Sequence, residues 1–236
     1  MEQEKFIFFL PTRKGSERVL DKNTREFAGQ VGGLLTIKIK QLLEVDRIKK
    51  IIISTNDEST IKIANSFRNA KIKIVERPEE LCLSSTSIED FINYIPTITN
   101  AEHIFWVHTT SPFVDANNYN DALDTYIKVV IENNEFDSLL SVTKIQQFLW
   151  DATENKCINH DRSKIKWPRT QDLKPIYEIN HAFYINSRFN YVKNRDRIGQ
   201  KPFLFEMAKI KSFDIDWEDD FELAEKIFLI NRNSNK

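Results

Sequence analysis

Five consecutive apolar residues, Phe6-Ile7-Phe8-Phe9-Leu10, end at Pro11 and give way to a polar, basic stretch from Thr12 to Asn23. A strand without polar alternation has no solvent face, so this run demands cover on both sides. Ile51-Ile52-Ile53 repeats the demand, and Ile72–Val75, Ile104–Val107, Ser138–Val142 and Ala182–Ile185 read as further strands. Helical segments fall between them: Leu34–Val45, a helix capped by Asp57 or Ser59 and running to about Phe67, Ile88–Ile98 interrupted by Pro96, and Asn117–Ile131. Thr36-Ile37-Lys38-Ile39-Lys40 also alternates like a strand, so two readings compete there. Phe221–Ile230 is a last helix, and Asn231–Lys236 reads as a frayed tail. Strands alternating with helices predict an α/β fold, a mainly parallel sheet flanked by helices. Ligands of such sheets lie beyond the carboxyl ends of the strands. That rule selects Thr12–Asn23, Ser54–Asp57 and His108–Pro112.

The 236 residues suit a single domain, 1–236, and the net charge of -1 gives no global field for nucleic acid or an anionic membrane. Cys82 and Cys157 show neither CxxC spacing nor a neighbouring His cluster, so two reduced thiols are expected rather than zinc or a disulfide. The first apolar run is too short for a signal peptide or a membrane span, which predicts a cytoplasmic protein. Residues 144–178, with Trp150, Trp167, Pro168 and Pro175, break the strand–helix rhythm and read as an excursion, a hairpin and arm.

Four segments carry candidate chemistry. In Pro11-Thr12-Arg13-Lys14-Gly15-Ser16-Glu17-Arg18, Gly15 permits a tight turn whose backbone N–H groups can cradle oxyanions. Arg13, Lys14, Arg18 and Lys22 place four cations within ten residues, the charge a triphosphate needs; a solvated basic loop accounts for them as well. The loop matches neither the Walker A nor the GxGxxG pattern. Asp214 and Asp216, read as i and i+2 of a strand, would point to one face and suit Mg²⁺, which takes one or two carboxylates plus substrate phosphates. The acids of Trp217-Glu218-Asp219-Asp220 also fit a helix start, and that reading covers the Asp pair equally. The hydroxyl-bearing Thr109-Thr110-Ser111 after the fourth strand can bond a base or ribose, or simply form a turn. Arg77 can reach an anion, while Ser85 or Ser87 can cap the helix that follows.

In order along nearly the whole chain, these segments resemble the acylneuraminate cytidylyltransferase (CMP-sialic acid synthetase) family. Its P-A-R-x-G-S loop ending in Lys-Asn stands here as Pro11–Asn23, its S-T-D-[DS] as Ser54–Asp57, and its R-P-E-E-L-A-x-D as Arg77–Ser84. Its L-Q-P-T-S-P is similar to Val107–Pro112, its R-Q-D-L-x-P to Arg169–Pro175, its N-G-A-x-Y-I to Asn180–Ile185, and its closing I-D-T-x-x-D to Ile215–Asp220. The resemblance implies a Rossmann-like, glycosyltransferase-A-like nucleotidyltransferase fold. The implied enzyme moves CMP from CTP to an acidic sugar and releases pyrophosphate. Pro11, Thr12, Arg13, Gly15, Ser16, Lys22, Asn23, Arg77, Ser85, His108, Thr110 and Ser111 would bind the nucleotide. Asp214 and Asp216 would carry Mg²⁺, with Arg13, Lys22 and Asp216 catalytic. Arg169, Gln171, Asn180 and Tyr184 would bind the acceptor, and the 144–178 arm would join a homodimer. Relatives that charge deoxy-octulosonates or phosphonates, or a non-catalytic nucleotide-binding subunit, are the competing expectations. The chain departs from the family pattern at Glu17 (usually Lys), Ser84 (Asp), His108 and Thr109 (Gln-Pro), His181 (Gly) and Trp217 (Thr).

Overall fold

The computed structural model describes residues 4–234. Its strands are β1 (Phe6–Pro11), β2 (Ile51–Thr55), β3 (Ile72–Glu76), β4 (His103–Val107), β5 (Ser138–Ile145), β6 (Trp150–Asp151), β7 (Lys156–Cys157), β8 (Ile176–Ser187) and β9 (Pro202–Glu206). Its α-helices are α1 (Gly33–Leu43), α2 (Glu58–Ser66), α3 (Ile88–Tyr94), α4 (Ala116–Tyr126), α5 (Arg188–Asn194) and α6 (Glu218–Ser234). Seven strands form one sheet in the order β3-β2-β1-β4-β8-β5-β9. The pairings β1–β2, β1–β4, β2–β3 and β5–β9 are parallel. β8 runs antiparallel to both β4 and β5. After β5 the chain makes an excursion of hairpin and loop and re-enters the sheet as β8, a return that needs no crossover helix and runs antiparallel to β5.

The cover that β1 demanded is present on both faces. Phe8 and Leu10 pack with Leu35, Ile39 and Leu42 of α1 and with Tyr119 and Leu123 of α4. Ile7 and Phe9 pack against Phe91 and Ile92 of α3 and Tyr191 of α5. A third cluster joins Phe27, Leu34 and Ile37 to Phe221 and Ala224 of α6, and it includes Ile215. Gly33 opens α1 with φ 52, and a Cβ there would lie 1.9 Å from the Arg25 carbonyl oxygen, so the position needs glycine.

The Thr36–Lys40 stretch is helical, and the alternation there misleads because α1 is buried nearly all round, Lys38 included. Asp57 caps α2 by accepting from the Ser59 N–H, and Ser87 caps α3 by accepting from the Glu89 N–H; each such cap stabilises its helix by about 1 kcal/mol. Pro96 turns the end of the expected 88–98 helix into a 3-10 turn at Ile95–Thr97. α4 continues beyond Tyr126 as a π-helical turn, Ile127–Glu132. Helix α6 runs on through Ser234, so the expected tail begins no earlier, and residues 235–236 lie outside the described residues. Two elements escape the sequence pattern: α5 buries only Tyr191, and β9 is a short edge strand that starts on a proline. Phe213–Asp216 belongs to no strand, which corrects the expected strand geometry for the acid pair.

Between β5 and β8 the chain forms the antiparallel hairpin β6–β7 and an exposed loop. Trp150, Ile158, Ile165 and Trp167 lie exposed there, with the Arg162 guanidinium 5.6 and 5.3 Å from the two indole rings. Among the described residues no helix is long and apolar enough to cross a membrane.

Candidate functional site

A cavity of about 610 Å³ opens beyond the carboxyl ends of β1, β3 and β4. From the β1 loop, Pro11, Thr12, Arg13, Ser16, Lys22 and Asn23 line it. Arg77 enters after β3, and His108 and Thr110 after β4. Thus nine of the twelve expected nucleotide residues meet in one place. Gly15 forms the turn with φ 78 just outside the lining. Ser85 also lies outside it, although its neighbours Ser84, Thr86 and Ser87 line the wall. Ser111 is buried beneath the floor, its carbonyl accepting from Lys38 Nζ at 2.9 Å.

The side chains are held by a tight set of local bonds. Arg13 Nη1 reaches the Gly15 and Cys82 carbonyls at 3.5 and 3.4 Å. Arg77 lies 4.1 Å over the Phe91 ring, and its Nη2 donates to the Ser54 carbonyl at 2.6 Å. Burial lowers the Arg77 guanidinium to about 10. Thr109 Oγ1 donates to Asn23 Oδ1 at 2.6 Å and joins the β1 and β4 loops. Beneath them Lys38 Nζ donates to the Ser111 and Val114 carbonyls and to Tyr119 Oη, at 2.9, 3.2 and 2.7 Å. Burial drives this ammonium well below its ordinary pKa.

The acid pair lies outside the cavity lining, and its segment is tied to two lining residues, Thr110 and Lys22, through the Ile215 backbone rather than by strand pairing. The Ile215 N–H donates to the Thr110 carbonyl at 3.0 Å, and Lys22 Nζ donates to the Ile215 carbonyl at 2.8 Å. Arg18 pairs with Asp216 at 2.9 Å. Burial pushes the Asp214 carboxyl up, the Thr110 side chain pulls it down, and Asp216 raises it further. Burial lowers the Lys22 ammonium, while Asp214 and Asp216 pull it back up. Among the described residues no group of three or more His, Cys, Asp or Glu side chains gathers for a metal. Asp214 and Asp216 are not among the residues that line the cavity, but they adjoin Lys22 and Thr110, which are; two carboxylates beside a cavity suit Mg²⁺, which completes its shell with waters and substrate oxygens.

The acceptor candidates divide. Tyr184 lies beside the cavity, beneath a guanidinium that lines it, that of Arg197, 4.2 Å from the Tyr184 ring. Asn180 does not face the cavity. Its Oδ1 accepts from Ser141 Oγ and the Ala182 N–H, and its Nδ2 donates to Thr143 Oγ1, where β5 and β8 shift register. Arg169 and Gln171 lie on the exposed loop, where Asp172 holds the Arg169 guanidinium at 2.7 and 3.0 Å. Arg197, which lines the cavity, and Lys38, which braces the Ser111 and Val114 carbonyls beneath it, are residues that sequence reasoning missed, and neither carries a signal in pattern or spacing.

The family model described as cytidylyltransferase matches residues 7–235. The chain belongs to that family. It is 28% identical over 225 residues to the N-acylneuraminate cytidylyltransferase of Escherichia coli, across 93% of this chain and 51% of that protein. The chain therefore spans about half the length of such curated relatives. It is 23% identical over 238 residues to the pseudaminic acid cytidylyltransferase of Campylobacter jejuni, across 98% of this chain and 99% of that protein. The solved structure of CMP:2-keto-3-deoxy-manno-octonic acid synthetase complexed with CTP shares the fold, at a TM-score of 0.66 and 13% identity, across 97% of this chain and 100% of that one. The expected nucleotidyltransferase fold is present.

The chain departs from the family pattern in residues that touch one another or their neighbours at the cavity. Ser84 Oγ donates to Glu17 Oε1, so the two altered positions are partners across the mouth. Trp217 lies 5.0 Å from the Arg18 guanidinium, and Arg18 is the Asp216 partner. His181 adopts φ 56, a left-handed backbone that glycine takes without strain, and its Nδ1 is 2.7 Å from Tyr184 Oη. Burial first, then the Arg197 and His181 charges, lower the His108 imidazole to about 3, which keeps it neutral near pH 7.

Proposed function

We propose that this cytidylyltransferase moves CMP from CTP to the anomeric hydroxyl of a nonulosonic sugar acid and releases pyrophosphate, for surface glycan biosynthesis. The observation that carries the reading is the bond from Lys22 Nζ to the Ile215 carbonyl at 2.8 Å. It ties the basic loop to the segment that carries the acid pair, and that closeness of cations and carboxylates supports charge stabilisation around a reacting α-phosphorus. The names of the curated relatives, sialic, pseudaminic and legionaminic acid enzymes, support this acceptor class.

In this reading Arg13 and Lys22 hold the phosphates, and Asn23, Arg77 and the Thr110–Ser111 segment fix the nucleoside. Asp214 and Asp216 hold Mg²⁺, and the cation, when bound, neutralises charge developing on the transferring group. The acceptor hydroxyl oxygen forms the new bond to phosphorus as the bond to pyrophosphate breaks. The protein works in the cytoplasm as a homodimer. A second copy covering the exposed Trp150, Ile158, Ile165 and Trp167 would carry Arg169 and Gln171 towards the neighbouring cleft.

The test is pyrophosphate release from CTP and Mg²⁺ with sialic, legionaminic and pseudaminic acids, deoxy-octulosonate and aminoethylphosphonate, with UTP and ATP as controls. Release with a nonulosonate and CTP, lost in Asp216→Ala, is the expected result. Silence with every sugar acid, or full magnesium-dependent turnover by Asp216→Ala, would refute it.

A further inference from the structure

We infer that Arg197 is the acceptor-specificity residue of the cleft, the fixed cation that takes the carboxylate of the incoming sugar acid. The inference rests on the acceptor class proposed above and adds the residue that recognises it.

Position comes first. The loops that line the nucleotide end follow β1, β3 and β4. Arg197 follows α5, and its guanidinium lies over Trp106 of β4 and Tyr184 of β8, the strand beyond β4 in the sheet order. The left-handed Arg195, φ 53, ends α5 and turns the chain so that Arg197 enters the cavity wall.

Its neighbours hold it without using its donors. The guanidinium lies 4.9 Å from the Trp106 ring and 4.2 Å from the Tyr184 ring, both of them buried. Aromatic rings engage the faces of a guanidinium and leave the N–H edge, the part that matches a planar carboxylate. Among the described residues the one hydrogen bond of the Arg197 side chain is a long one, from Nη2 to His181 Nδ1 at 3.4 Å. The other candidate arginines are engaged: Arg18 by Asp216, Arg77 by Ser54, Arg169 by Asp172, and Arg13 by two carbonyls. Among the described residues no carboxylate pairs with Arg197.

Two further observations mark this wall as built for a ligand. Trp106 Nε1 and His108 Nδ1 are buried there without a hydrogen-bond partner. His181, the contact of both Tyr184 and Arg197, sits in a left-handed conformation that strains a non-glycine residue. Strain of this kind persists where the surroundings over-determine a side chain, and it clusters at ligand sites.

The experiment compares wild type, Arg197→Gln and Arg197→Lys with the sugar acid that turns over and with its carboxamide. A charge-assisted bidentate contact is worth roughly tenfold to a hundredfold in affinity. Wild type should show an acceptor KM about that much lower for the acid than for the carboxamide, a comparison that needs no variant. Arg197→Gln should raise the KM for the acid by a similar factor and abolish the discrimination, with the KM for CTP within about twofold. Arg197→Lys, which keeps charge and loses the fork, should fall between. Equal use of acid and carboxamide by wild type, or an Arg197→Gln enzyme altered in CTP but not acceptor KM, would overturn the inference while leaving the proposed reaction intact. A wild type inactive with every sugar acid would remove the proposed reaction and this inference together.

Discussion

Lys22 Nζ lies 2.8 Å from the carbonyl oxygen of Ile215, the residue between Asp214 and Asp216. One ammonium thus anchors the acid segment and faces the space where phosphates would sit. Lys22→Met should lower kcat for pyrophosphate release by about 10²–10³, the usual effect of removing one preorganised donor from developing charge. Steady-state kinetics beside a thermal melt check this. A loss of activity that merely tracks a loss of folded protein would reassign Lys22 to a structural role.

Lys38, unlike the half-buried Lys22, is a fully buried ammonium, and it stabilises the floor. It joins α1 to the Ser111 and Val114 carbonyls and to Tyr119 Oη. Lys38→Met fills similar volume but strands those three oxygens, at about 1–3 kcal/mol for a buried unsatisfied group. We expect a total loss of about 2–4 kcal/mol in urea unfolding. An unchanged midpoint would show that the oxygens find other partners.

What the sequence reveals and what it conceals divide along the range of the forces involved. β1, β2 and β4 are legible because a doubly covered strand has to be apolar throughout, and Phe6–Leu10 and Ile51–Ile53 are. The Arg13–Asn23 loop is legible because a basic run after such a strand falls at the ligand edge. Asp214 and Asp216 were found as a pair, but their geometry was not, since the Ile215–Thr110 backbone bond that places them spans about a hundred residues and no strand. Lys38 carries no signal because burial nearly all round α1 erases the periodicity that would separate a core face from a solvent face. Asn180 matched a motif, yet its amide is consumed by the β5–β8 irregularity. Arg197 follows a helix with a single buried side chain, so neither pattern nor spacing points to it.

Arg77 offers a separable test of shape against charge. Its guanidinium is stacked on Phe91 at 4.1 Å and forked onto Ser54, with Nε 3.3 Å from Oγ and Nη2 2.6 Å from the carbonyl. Lysine keeps the charge and loses both the plane and the fork. Arg77→Lys should therefore cost about 1–2 kcal/mol in stability and raise the KM for CTP several-fold. Thermal melts and CTP titration measure the two effects, and wild-type values in both would show that only the charge matters.

His103 gives the fold a pH dependence whose sign follows from its burial. Burial lowers its imidazole from 6.5 to about 4, with Glu102 acting upwards and Lys5 downwards. The ring stacks on Phe6 at 4.9 Å between centroids, and Nδ1 is 2.9 Å from Tyr126 Oη. As pH falls through 6.5 the unfolded chain takes up a proton that the folded chain refuses until about pH 4. The contribution is therefore complete above 6.5 and is lost progressively between 6.5 and 4. His108, held near 3, extends the same loss to lower pH. Urea midpoints should fall from pH 7 to pH 4.5, and His103→Gln should flatten that fall without removing it, because His108 remains. If the variant loses stability with pH as steeply as wild type, His103 is protonated in the folded protein and its buried, neutral state is refuted.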